Sequence, residues 1–194
     1  MRKKFISLST ISSGRNAFGI VGKNIKKITK GYEFEGSVKV RCAYEEYRFM
    51  SRSEINRGLD YLDKYKVFTS KGNGGAGLLT DGKPVNIIGK SYVASPGEAC
   101  TDSLIPFGKF STEKEAQNLQ KYMCTKFLRF CVGILKVSQN LYQNVYRLVP
   151  MQDFATNDEI DWSKSVEEID KLLYAKYDLS KEESDFIEAI IKPM

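Results

Sequence analysis

The residues able to do chemistry in this chain do not include histidine, which is absent from the sequence. Without an imidazole there is no Ser-His-Asp or Cys-His pairing and no imidazole general base, so hydrolysis would have to run on carboxylates and lysine. Asp153 and Asp161, with Lys164 close by, are the carboxylates to weigh. A metal-dependent nuclease core needs Pro-Asp and then Asp/Glu-x-Lys on a neighbouring strand, so that carboxylates hold the ion. Neither Glu113-Lys114-Glu115 nor Asp161-Trp162-Ser163-Lys164 has that spacing. The prolines stand singly at 84, 96, 106, 150 and 193, so no Asn/Asp-Pro-Pro-Tyr/Phe loop of the kind used to methylate adenine is present. Cys42, Cys100, Cys124 and Cys131 form no Cys-x-x-Cys pair, and a zinc site would need all four from scattered positions. They read as free thiols in a reducing compartment. The expectation is therefore no catalytic residue and no metal ligand on this chain.

Two segments have the residue types of nucleic-acid recognition. Gly72-x-Gly74-x-x-Gly77 matches the dinucleotide fingerprint in letters, but Leu78-Leu79-Thr80-Asp81-Gly82 follows where a helix should begin. Without helix N-terminal amides a pyrophosphate has no cradle. The segment reads either as an ordinary solvated turn or as a flexible loop, flanked by Lys66, Lys71 and Lys83, that approaches a phosphate backbone. The second segment is Gln139-Asn140-Leu141-Tyr142-Gln143-Asn144-Val145-Tyr146-Arg147. Its amides can pair bidentately with adenine and its arginine with guanine, while tyrosines can serve phosphates or stack. The plainer alternative makes Leu141, Val145 and Leu148 core and leaves the amides to solvate. The expected DNA contacts are Arg41, Lys66, Lys71, Asn73, Lys83, Lys90, Lys126, Arg129, Lys136, Gln139, Asn140, Gln143, Asn144 and Arg147.

Elements must position these groups. Residues 1–36 are broken by Gly14, Gly19, Gly22 and Gly31; residues 37–50 open with strand-like alternation. Ser51-x-x-Glu54 has the form of a capping box before a helix over about 53–64 carrying Ile55, Leu59 and Leu62. Strands are expected at 65–69, 85–88 and 103–107. Thr112-x-x-Glu115 opens one long amphipathic helix with Ala116, Leu119, Met123, Phe127, Phe130 and Ile134 on a stripe, and Gly133 a possible bend. Ser165-x-x-Glu168 and Ser180-x-x-Glu183 each cap a short helix, the second stopped by Pro193. The pattern is α+β: a mixed or antiparallel sheet with one long amphipathic helix, followed by a helical C-terminal hairpin.

Charge divides the chain at Pro150. Residues 1–150 hold 25 Lys+Arg against 12 Asp+Glu, an excess of +13, whereas residues 151–194 hold 5 against 12, or −7. A basic domain over 1–150 suits a polyanion, and an acidic helical tail over 151–194 suits packing on that domain or on a partner. The 42% apolar content supplies a core, but no apolar run reaches the roughly 18 residues of a membrane span. Met1 to Leu8 is basic and only briefly apolar, unlike a signal peptide. The chain is expected to be cytoplasmic, with no membrane partner.

The second half carries a resemblance. Phe110 to Ala116 (Phe-Ser-Thr-Glu-Lys-Glu-Ala), Thr125 to Phe130, Val149 to Phe154, Ile160 to Ser165, Glu168-Ile169-Asp170 and the ending Phe186-Ile187-Glu188 with Ile191 to Met194 resemble one family. It is the C-terminal target-recognition region of bacterial restriction–modification adenine-specific DNA methylases, including those fused to an endonuclease. The likeness covers about 65–194, through the glycine loop and Ala99-Cys100-Thr101, and is weaker before, where Ala17-Phe18-Gly19 still fits. It implies recognition of a short duplex DNA site. In the full enzyme S-adenosylmethionine methylates adenine at N6, and some members cut DNA with magnesium; here the catalytic domain's motifs are missing, so no cofactor is expected on this chain and a methyltransferase domain or subunit is its expected partner. The two other readings kept open are a stand-alone restriction-type nuclease with a degenerate carboxylate site at Asp153 or Asp161, and a protein-interaction subunit of the same system.

Overall fold

The computed structural model describes residues 5–28, 31–42, 47–73 and 83–194. The chain builds two three-stranded sheets. Strands β1 (Ser37–Arg41), β2 (Tyr47–Ser51) and β5 (Glu98–Cys100) form the first, ordered β2-β1-β5, with β1/β2 antiparallel and β1/β5 parallel. Strands β3 (Tyr65–Ser70), β4 (Ser91–Ala94) and β6 (Leu104–Phe110) form the second, ordered β4-β3-β6 and antiparallel throughout. In β1, Val38 and Val40 turn into the core while Lys39 and Arg41 take the other face, the two-residue period of a strand. The register of β3 against β6 shifts between Tyr65 and Val67. Gly108, with φ 76°, supplies the left-handed residue such a bulge needs; a Cβ there would meet the Phe110 ring at 2.1 Å.

The helix expected from Thr112 to Ile134 is two helices. Helix α1 is the short Leu59–Leu62, α2 is Glu113–Cys124 and α3 is Lys126–Leu135. Thr112 caps α2 through a complete capping box. Thr125 is extended (φ −66°, ψ 146°) and caps α3, its hydroxyl accepting from the Leu128 amide. Asp170 completes that cap by accepting the Lys126 and Phe127 amides, each at 2.9 Å. The apolar stripe survives the break, because Ala116, Leu119, Met123 and Phe127 all lie in the core, but Ile134 at its end is exposed.

Helices α4 (Val166–Lys176) and α5 (Lys181–Ile190) have the two capping boxes expected at Ser165 and Ser180. Ile169, Leu173, Ile187 and Ile190 bury against α2, α3 and the second sheet in one core that also takes Leu8, Val67, Phe107 and Trp162. The acidic tail thus packs on the basic body of its own chain. A second core gathers Phe18, Ile20, Val38, Val40, Met50, Leu62 and Phe68 between the first sheet and the N-terminal segment. Ser51 makes no side-chain cap; Arg52–Glu54 is a single 3-10 turn, and of the helix expected over 53–64 only Leu59–Leu62 is α-helical. The strand expected at 85–88 is an isolated bridge, Val85 to Ile191, with Ile87 and Ile88 buried behind it. Among the described residues no helix is long and apolar enough to cross a membrane.

Candidate nucleic-acid interface

The strand β3 runs into the second recognition segment. Past Ser70 the chain continues as Lys71-Gly72-Asn73, and Gly72 bridges Asn140 in antiparallel fashion. The Asn73 amide donates to the Gln139 carbonyl at 3.0 Å and the Leu141 amide to the Lys71 carbonyl at 2.8 Å. Gly72 permits this approach, since a Cβ there would sit 3.3 Å from the Gln139 carbonyl oxygen. The side chain of Asn73 donates to the Asn86 carbonyl at 2.9 Å. The start of the glycine segment and the amide run, separate in sequence, are therefore one backbone ladder. Gly74 to Gly77 and the following residues to Gly82 lie outside the described residues.

The amide run then turns through the 3-10 helix Gln143–Tyr146, whose first two residues face out and last two are buried. Leu141, Val145 and Tyr146 are buried; Gln139, Gln143, Asn144 and Arg147 are exposed and Asn140 is half-buried. Leu141 and Val145 anchor the run in the core, but Leu148, expected there with them, is exposed because it lies past the 3-10 turn, and the amides face outward. Gln143 donates to the Ser9 carbonyl, tying the run to the N-terminal segment. Arg15, which the sequence reading passed over, lies on the Tyr142 ring at 4.1 Å and donates to its hydroxyl at 2.6 Å. Stacking of a guanidinium on a tyrosine 127 positions away in sequence has no local sequence signal. Tyr146 is fully buried, so its hydroxyl serves no phosphate.

Burial removes several expected contacts. Lys66 is 0% exposed, and its ammonium donates to the carbonyls of Leu62, Lys64 and Ser95 at 3.2, 3.0 and 2.7 Å. Desolvation holds its pKa down to about 8. It stitches the loop after α1 to β4 and cannot reach a phosphate. Arg129 is 1% exposed and donates to the carbonyls of Thr125 and Lys192, with burial lowering its pKa. Lys136 is 4% exposed and likewise lowered by burial. Arg41, 8% exposed, is sandwiched between the rings of Tyr47 and Tyr92 at 4.2 and 4.0 Å. Lys126 pairs with Glu188 of α5 at 2.5 Å and serves the helical hairpin. Lys83 is exposed beside the Val85–Ile191 bridge. Lys90 is exposed next to Gly89, whose backbone lies against Ser70 at the end of β3. What remains together is Asn73, Lys90, Gln139, Asn140, Gln143, Asn144 and Arg147, joined by Arg15 and by Lys71, whose charge is shared with Asp102 at 2.5 Å.

No protein-family model matches this chain, and no curated protein matches it. The carboxylates of the nuclease reading are engaged in turns: Asp153 accepts from the Ala155 and Thr156 amides, and Asp161 accepts from the Ser163 amide and hydroxyl. Among the described residues no three thiol, carboxyl or imidazole groups gather as a metal-holding set. No disulfide joins the four cysteines, and burial raises the thiol pKa of Cys100, Cys124 and Cys131, the last to about 12, which leaves those three poor nucleophiles.

Proposed function

We propose that this chain is a duplex-DNA recognition domain of a restriction–modification adenine methylase system, with methyl transfer from S-adenosylmethionine and any magnesium-dependent cleavage carried by a catalytic domain or subunit beside it. One observation carries the reading: the Gly72–Asn140 bridge sets Lys71, Asn73, Gln139 and Asn140 side by side, and the outward amides Gln143 and Asn144 with Arg147 and Arg15 continue from them. Amides supply the paired donor and acceptor that match adenine in the major groove, while the cations neutralise phosphates and fix register. The turn-bound state of Asp153 and Asp161 speaks against the nuclease reading.

The test is fluorescence anisotropy with a labelled mixed-sequence duplex. Phosphate neutralisation makes affinity fall steeply between about 50 and 200 mM salt. Arg147→Ala and Arg15→Ala should each weaken all duplexes alike and reduce the salt slope by about 1. Asn140→Ala should leave that slope unchanged and relax sequence preference. Absence of duplex binding, or binding indifferent to salt, sinks this reading in favour of a protein-contact subunit.

A further inference from the structure

Helices α3 and α5 share a groove of about 320 Å³. From α3, Phe127, Phe130, Cys131 and Ile134 line it at the i, i+3, i+4, i+7 spacing of one helix face. From α5, Glu183, Phe186 and Ile187 line it, again at i, i+3 and i+4. Lys126 meets Glu188, and the Phe130 ring meets the Phe186 ring edge-on at 6.0 Å. Numbers rise along one helix as they fall along the other, so the two run antiparallel. Their shared stripe is only partly covered. Ile134 is 51% exposed and Phe186 53% exposed, and Val137, just past α3, is exposed as well. A surface helix normally turns such a stripe into the core. Two neighbouring helices that leave theirs open form the kind of groove in which a third helix lays its apolar face.

Charge selects the occupant. Glu182 and Glu183 are exposed in the first turn of α5, Asp178 is exposed just before it, and Glu183 itself lines the groove. The nearby lysines are engaged: Lys126 pairs with Glu188, Lys181 pairs with Asp185, and Lys136 at the C-cap of α3 is buried. The rim is therefore acidic and suits a basic partner. A second copy of this chain suits it poorly. Apart from Leu59 on the one-turn α1, the described α-helices expose no large apolar side chain outside this groove. Pairing the groove with itself would bring the rim carboxylates of the two copies together. We propose that the groove receives an amphipathic helix of a different protein. Its apolar face lies on Phe130, Ile134 and Phe186, and basic residues on its flank meet Glu182 and Glu183. The inference uses none of the residues of the DNA interface and does not depend on it.

The test adds a synthetic leucine–lysine helix of about 14 residues, four turns with one leucine face, to the full chain and follows amide nuclear magnetic resonance. A counterpart with glutamate in place of lysine serves as the second probe. The lysine helix should shift the Phe130, Ile134, Glu183 and Phe186 signals saturably, and the glutamate helix should bind about tenfold more weakly. Phe186→Ser and Ile134→Ser should each weaken the lysine helix about tenfold. Both side chains are already half in water, so the melting temperature should stay within a few degrees and weaker binding is not misfolding. No saturable shift, equal binding of the two helices, or full affinity in both variants overturns the proposal. Dimerisation in sedimentation that Phe186→Ser abolishes also overturns it, by giving the groove to a second copy.

Discussion

Asp170 and Lys66 show how polar side chains hold this fold at the residue scale. Asp170 is buried, and desolvation lifts its pKa to about 6 although the Lys126 and Phe127 amides favour the charged form. The folded chain then keeps a proton between about pH 4 and 6 that the unfolded chain releases. Stability must fall as pH rises through that window and level off above it, a change on the order of 2–3 kcal/mol. Urea unfolding at pH 4.5 and 7 measures it, and Asp170→Asn should abolish this part of the slope; an unchanged slope in the variant would assign it elsewhere. Lys66→Ala leaves three carbonyls without their donor and should lower stability by about 2–4 kcal/mol without altering the salt slope of DNA binding. A changed slope would mean that Lys66 reaches DNA after all. Neither role was legible in the sequence, where Lys66 and Arg129 look like ordinary surface cations. Burial of a cation depends on carbonyls delivered by residues as distant as Ser95 and Lys192, and no local pattern encodes that. The outward amides were legible, because Leu141 and Val145, four residues apart, take the buried side of the run and leave Gln143 and Asn144 between them outside.

Elements were legible where a local signal fixed them. The capping boxes at Thr112, Ser165 and Ser180 start helices where the sequence places them, since both reciprocal hydrogen bonds form within four residues. Ser51 has the same letters and no cap, because the chain enters the Gly58 turn instead: Gly58 has φ 62°, and a Cβ there would lie 2.6 Å from the Ala17 carbonyl oxygen. The α2–α3 break was hidden because Thr125 falls between buried positions of an unbroken apolar stripe, and the deciding partner, Asp170, comes from α4. Thr125→Ala removes the hydroxyl cap and should cost about 1–2 kcal/mol by chemical denaturation. A change within a few tenths of a kcal/mol would mean that Asp170 alone sustains the cap.

At the scale of the whole molecule, much of the basic excess of residues 1–150 is, among the described residues, buried or paired. Lys66, Arg129, Lys136 and Arg41 are buried, while Lys27, Arg52, Lys71, Lys109 and Lys126 pair with carboxylates. The α+β class, with an antiparallel sheet, a mixed sheet and a helical C-terminal pair, was legible; the number of sheets was not, because the parallel pairing of β1 with β5 joins strands more than fifty residues apart. The acidic tail shares the core of the body through Ile169, Leu173, Ile187 and Ile190. The proposed interface is narrower and more amide-rich than the charge count suggested. The most direct measurement is amide nuclear magnetic resonance of the full chain on adding a mixed-sequence duplex at low salt. Shifts confined to Lys71–Asn73, Gln139–Arg147 and Arg15, fading as salt is raised, are the predicted result. Shifts centred on α4 and α5, or none at all, would contradict it.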